Sequence, residues 1–137
     1  MSANEDLIDQ LHAVMHAFRS EMKRVVQESG HSLNGMEVRA LLWIARHPGG
    51  SARELAQHSG RDKAQLARVI QQLEQAALVS RAAHASDRRL QCLNLTAAGA
   101  ALMESLQRER QHVSARMLGK LSAAEQKQLA ALLARLV

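Results

Sequence analysis

The sequence predicts a mainly α-helical protein with one small β-hairpin, and three observations carry that assignment. Its apolar residues are almost all Ala, Leu, Val and Met, with Phe18 and Trp43 the only aromatics, a composition that suits helices better than sheets. Helix-start chemistry recurs along the chain, in Asn34-Gly35-Met36-Glu37, Ser51-Ala52-Arg53-Glu54, Asp62-Lys63-Ala64-Gln65 and Ser122-Ala123-Ala124-Glu125, each a capping residue with Glu or Gln three places on. Strand-like alternation appears in only one place. There Leu78-Val79-Ser80-Arg81-Ala82 and Leu90 to Leu95 flank the polar connection Ala83 to Arg89, the pattern of a hairpin.

Each element follows from its own residues. Over 5–28, Leu7, Leu11, Val14, Met15, Phe18, Met22, Val25 and Val26 recur at three-and-four spacing, which predicts one long amphipathic helix ending near Gly30. Asn34 opens a helix through Leu41, Leu42 and Ile44 that stops at Pro48-Gly49-Gly50. Ser51 opens a short helix ending at Gly60, Asp62 opens the next, and Thr96 can cap a long helix carrying Leu102, Leu106, Val113 and Met117. Ser122 opens the last, with Leu129, Leu132, Leu133 and Leu136. The 137 residues fit one domain, with no internal repeat and no low-complexity linker.

Composition narrows the function. No apolar run reaches the roughly 18 residues of a membrane span, and the start MSANEDLIDQ is acidic where a signal peptide is basic and then apolar. A cytoplasmic protein with no membrane partner is expected. The single cysteine, Cys92, can form no internal disulfide. Net charge is −2 over residues 1–45, +4 over 46–91 and +3 over 92–137, so the basic excess sits mid-chain, where a polyanion partner is one reading and a solvated face the other. No nucleophile–base pair, Gly-rich phosphate loop or paired carboxylates stand at suggestive spacing, so neither an enzyme nor a cofactor is expected. His12 and His16 lie four apart on one helix, but two ligands make no complete site and the other histidines show no motif spacing, so no metal is expected.

The mid-chain segment carries the functional signal. A two-turn helix with Leu55 and Ala56 inward, a turn at Gly60 and a second helix with Leu66, Val69, Ile70 and Leu73 inward make a helix-turn-helix pattern. The second helix leaves Lys63, Gln65, Arg68 and Gln72 on its open side, and Arg53 stands near the start of the first. A hairpin directly after such a pair is a wing. With Leu93 and Leu95 inward, Asp87, Arg88 and Arg89 fall at or near its tip, where arginine can enter a narrow minor groove and Asp87 can hold a neighbouring guanidinium.

These residues resemble the MarR (multiple antibiotic resistance regulator) family of winged helix-turn-helix transcriptional regulators. Asp87-Arg88-Arg89, then Leu93-Asn94-Leu95-Thr96 and Gly99, match the family's wing pattern, and Arg68, Leu73-Glu74 and Leu78-Val79 match the end of its recognition helix. The resemblance covers essentially the whole chain. It implies a winged helix-turn-helix DNA-binding lobe over 34–96, flanked by N- and C-terminal dimerisation helices at 5–30 and 97–137. It further implies a homodimer on pseudo-palindromic double-stranded DNA, a repressor released by a small-molecule or oxidative signal. Members often carry Gly where this chain has Ala77, and Ser or Thr where it has Ala64 and Ala67. If position 77 needs a positive φ, alanine costs on the order of 1 kcal/mol.

Two further expectations complete the reading. A crevice between the dimer helices and the DNA-binding lobe, with Met15, Phe18, Met36 and Trp43 in its lining, would take a small-molecule effector. The competing class is a helical protein–protein interaction module without DNA binding, which explains the terminal helices but leaves the charged hairpin tip without a role.

Overall fold

The computed structural model describes residues 2–84, 86–87 and 89–137. Its elements are α1 (Ala3–Glu28), α2 (Gly35–Arg46), α3 (Ala52–Ser59), α4 (Lys63–Gln75), β1 (Val79–Ala83), β2 (Gln91–Leu95), α5 (Ala97–Leu118) and α6 (Ala123–Ala134). This is the mainly α fold with one antiparallel hairpin that the capping chemistry predicts. The chain divides into two compact units, Met1–Val25 with Gln107–Val137, and Val26–Leu106.

The caps are as the residues dictate. Asn34 accepts the Glu37 backbone N–H at 2.9 Å, and complete capping boxes close at Ser51–Glu54 and Ser122–Glu125. Asp62 differs. Its carboxylate accepts from the Ala64 N–H at 3.2 Å, one position earlier than a capping box uses, so α4 starts on a tighter Asx-type contact and Gln65 stays on the surface. Gly60 ends α3 at φ 63°, ψ 14°, a left-handed cap that glycine adopts without a steric penalty.

In the unit of chain ends, Arg116 donates to Glu21 at 3.1 Å and the Arg110 guanidinium lies 5.2 Å above the Phe18 ring. The apolar stripe of α1 is half-buried to buried at Leu11, Phe18, Met22, Val25 and Val26 and open elsewhere. Leu7, Ile8, Val14 and Met15 are exposed, as are Leu132, Leu133 and Leu136 at the other terminus.

The other unit has a closed core. Leu41, Ile44, Leu55, Leu66, Val69, Ile70 and Leu73 pack with Leu78 and Leu93. The hairpin pairs Val79 with Leu95 and Arg81 with Leu93. Beside it the chain after α2 adds a third rung, because the Leu93 N–H donates to the Gly50 carbonyl at 2.8 Å and Ser51 bridges Cys92. Asn94 fixes that rung through its side chain, which accepts from the Gly49 N–H at 2.9 Å.

The joint between α4 and β1 is a Schellman motif. The Ala77 N–H bonds to the Glu74 carbonyl at 2.9 Å and the Leu78 N–H to the Leu73 carbonyl at 3.0 Å, with Leu73 and Leu78 both fully buried. Ala77 itself sits at φ 59°, the one non-glycine residue at positive φ among those described. Left-handed backbone pushes an L-residue's Cβ toward its own carbonyl, so the alanine standing where glycine fits best carries strain. Replacing Ala77 with glycine should therefore stabilise the protein by about 1 kcal/mol. Urea unfolding should show a higher midpoint at unchanged slope; an equal or lower midpoint would mean that the joint relaxes around alanine at no cost.

Candidate nucleic-acid interface

Three pieces of the second unit carry the residues singled out in the sequence. Lys63, Gln65, Arg68 and Gln72 are all exposed on α4, while Leu66, Val69, Ile70 and Leu73 of the same helix are buried. The 3.6-residue period thus separates an apolar face from a polar one that no other element covers. Arg53, in the first turn of α3, is also exposed. Its backbone is held by the Ser51–Glu54 capping box, so the side chain leaves the helix at a defined point.

One acid, Asp87, organises the described residues at the hairpin tip. The His84 N–H donates to the Leu90 carbonyl and the Leu90 N–H to the Asp87 carbonyl, each at 3.0 Å. The Asp87 carboxylate then accepts from the Arg89 backbone N–H at 3.0 Å, from its Nε at 3.2 Å and from Nη2 at 3.4 Å. The Arg89 side chain is 91% exposed even so. Asp87 therefore presents the guanidinium without burying it. Arg88 lies outside the described residues.

Those bonds also shift the acid. Hydrogen bonds from the Arg89 side chain and backbone hold the Asp87 carboxyl below its ordinary value, and the Arg53 charge adds a smaller contribution in the same direction. Arg53 of α3 and the hairpin tip consequently share one electrostatic neighbourhood, a relation across more than thirty positions of sequence.

Met36 and Trp43, both on α2, line a cavity of about 430 Å³ formed by α2, α3 and α4. Met15 and Phe18 belong to the unit of chain ends. The wall of the cavity holds residues that the sequence did not single out: Arg39, Arg46 and Arg61, with no acid among the described residues of the lining. Trp43 stacks on His47 with ring centroids 4.3 Å apart and planes 16° apart, and His47 Nδ1 donates to the Trp43 carbonyl at 2.8 Å. The spacing of Arg39, Trp43 and Arg46 on one helical face was a usable signal. The contribution of Arg61 was not, because it arrives from the turn before α4. No group of three or more His, Cys, Asp or Glu that could hold a metal occurs among the described residues. Cys92 is half-buried in β2.

A helix pair joined by a left-handed glycine, followed by a hairpin with a charged tip, defines a winged helix-turn-helix protein. The MarR family model matches residues 31–90. The whole chain has the fold of solved members. It is 25% identical to the YusO protein from Bacillus subtilis, with a TM-score of 0.77 over 99% of this chain and 97% of that one. The transcriptional regulator SlyA is 26% identical, with a TM-score of 0.78 over 96% and 91%. A MepR mutant from S. aureus, solved bound to an oligodeoxyribonucleotide, is 18% identical, with a TM-score of 0.70 over 95% and 94%. The match to the MarR family thus lies in residues 31–90, and the chain shares the winged-helix fold of these solved regulators. No helix among the described residues is long and apolar enough to cross a membrane.

The depressed Asp87 carboxyl is directly observable. A group whose folded pKa lies below its unfolded value stabilises the fold above the unfolded pKa, and that contribution is lost as pH falls through the folded one. In a carbon-detected NMR titration, Asp87 should titrate below the ordinary aspartate range, and Arg89→Ala should move it back up. An Asp87 that titrates at its usual value in the parent would show that the tip is not held by this contact.

Proposed function

We propose that the protein is a sequence-specific double-stranded DNA-binding regulator, a homodimeric repressor on a pseudo-palindromic operator. The observation that carries this reading is the pairing of an uncovered polar face on α4 with an ordered, exposed guanidinium at the hairpin tip. Helix α4 has the size and side chains to lie in a major groove, with Lys63 and Arg68 reaching phosphates or guanine and Gln65 able to make a bidentate contact to adenine. Arg89, oriented by Asp87, would enter the adjoining minor groove, where phosphate potential is strongest. Arg53 would reach the phosphate backbone between them. The DNA-bound MepR structure supports the reading by its shared fold. Homodimerisation is supported by the uncovered apolar residues Leu7, Ile8, Val14, Leu132 and Leu133, a set expected to be covered in an isologous contact between chain ends.

The two DNA contacts differ in kind, and salt separates them. Arg89→Ala should weaken binding at every sequence and flatten the slope of log affinity against log salt by about one unit per wing. Gln65→Ala should change which operator is preferred while leaving the slope nearly intact. Titrating the parent and both variants against a selected operator and its single-base variants, with sedimentation reporting two chains per site, tests the proposal. Unchanged affinity and slope for Arg89→Ala, or a single chain per operator, would count against it.

The repressor's release fits the α2–α3–α4 cavity. Three arginines in a lining whose described residues include no acid, beside an aromatic wall, suit a planar organic anion, and its entry would shift α2 against the helix that reads DNA. Trp43 is the only tryptophan and the chain has no tyrosine, so its emission reports this cavity alone. Benzoate should change that emission saturably and benzamide should not, with Arg46→Ala weakening the response. Equal responses to both compounds, or none, would remove the cavity as the effector site.

A further inference from the structure

Three side chains from three elements meet on the open side of the α4–wing joint. Arg81, on β1, donates from Nε to the carboxylate of Glu74 in the last turn of α4 and from Nη1 to Gln91 Oε1 on β2 at 3.0 Å. The Glu74 and Arg81 side chains are each 33% exposed, so screening leaves the pair little weight in stability. What the pair fixes is an angle. A guanidinium is planar and rigid, and when its two forks engage acceptors on two elements, the elements cannot rotate about their connection without breaking a bond. Arg81 also stands at the C-terminal turn of α4, where the helix dipole favours a cation.

The placement bears on the surface proposed to read DNA. Ala67, Gln71, Glu74 and Gln75 form one flank of α4, and Arg81 closes a shallow groove beside them. Glu74 is the one acid on this helix. A carboxylate on a helix facing phosphates opposes binding by simple charge repulsion, so its effect on affinity distinguishes a positioning role from a purely electrostatic one. From this geometry we propose that Glu74 and Arg81 are positioning residues, holding the wing at the angle where Arg89 and α4 engage one duplex together. The inference rests on the operator reading above and concerns how that interface is held.

The test measures operator affinity for Glu74→Ala and Glu74→Gln, each alone and combined with Arg89→Ala, with thermal unfolding recorded for every variant. Positioning requires Glu74→Ala to weaken binding about fivefold, the scale of one well-placed ion pair, even though a negative charge has been removed. Glu74→Gln keeps an acceptor for Arg81 and should retain most of the affinity. Arg89→Ala should cost much less in the Glu74→Ala background than in the parent, because a wing no longer held in place gains less from its tip. If Glu74→Ala lowers the unfolding temperature substantially, Gln91→Ala removes the wing half of the fork from an exposed position and carries the same double-variant comparison. A Glu74→Ala protein that binds as tightly as the parent or tighter, or an Arg89 effect equal in both backgrounds, overturns the inference alone. A parent that prefers no duplex sequence overturns the operator reading, and this inference with it.

Discussion

The backbone of Leu78 is the point on which the DNA-binding unit depends. Its N–H closes the end of α4 on Leu73, and its carbonyl accepts the Thr96 N–H that starts α5 at 3.1 Å. Thr96 ties the same spot a second way, with Oγ1 donating to the Ala77 carbonyl and accepting the Gly99 N–H at 3.1 Å. Gly99 is required by distance, since a Cβ there would lie 2.1 Å from the Leu78 oxygen. Helix end, wing start and next helix start therefore converge within a few ångströms. The Leu-x-Leu-Thr and Gly of the wing motif are the residues that allow this: Leu93 fills the core, Thr96 makes the bonds and Gly99 leaves room.

Two kinds of interaction divide the work in this unit. Buried apolar packing about Leu41, Leu73, Leu78 and Leu93 sets where the elements sit. Exposed, charge-assisted contacts add little stability in water, yet they orient side chains and edges that packing leaves free. Asp87 orients Arg89 at the tip, and Arg81 links α4 to both strands. Asn94 and Gly50 anchor the wing on its other side to the turn after α2, so a change in α2 packing has a short covalent and hydrogen-bonded route to the hairpin.

Much of this was legible in the sequence because capping is local chemistry. Asn34, Ser51, Ser122 and Thr96 each bond within three or four residues, so the residue types alone locate the helix starts. The buried face of α4 and the charged hairpin tip follow from period and turn chemistry in the same way. Ala77 was legible as a departure, a side chain where a left-handed turn favours glycine, and its φ of 59° bears that out. Long-range pairing was not. Gly49-Gly50 carries no strand signal, yet it supplies a rung to the wing through Leu93 and Asn94. Arg81 reads as one more polar residue in an alternating run until its partners, seven and ten residues away, come into place. Arg61 joins the two arginines of α2 in the cavity only once α2 packs on α3 and α4.

The central claim is that recognition helix and wing act on DNA as one rigid unit whose tip is Arg89. Hydroxyl-radical footprinting on a selected operator tests it most directly. The account predicts minor-groove protection on both flanks of the dyad, each beside one of two major-groove centres that lie about one helical turn apart. In Arg89→Ala the flanking protection should disappear while methylation interference in the major groove persists. Footprints with no flanking protection in the parent, or identical footprints for both proteins, would contradict it.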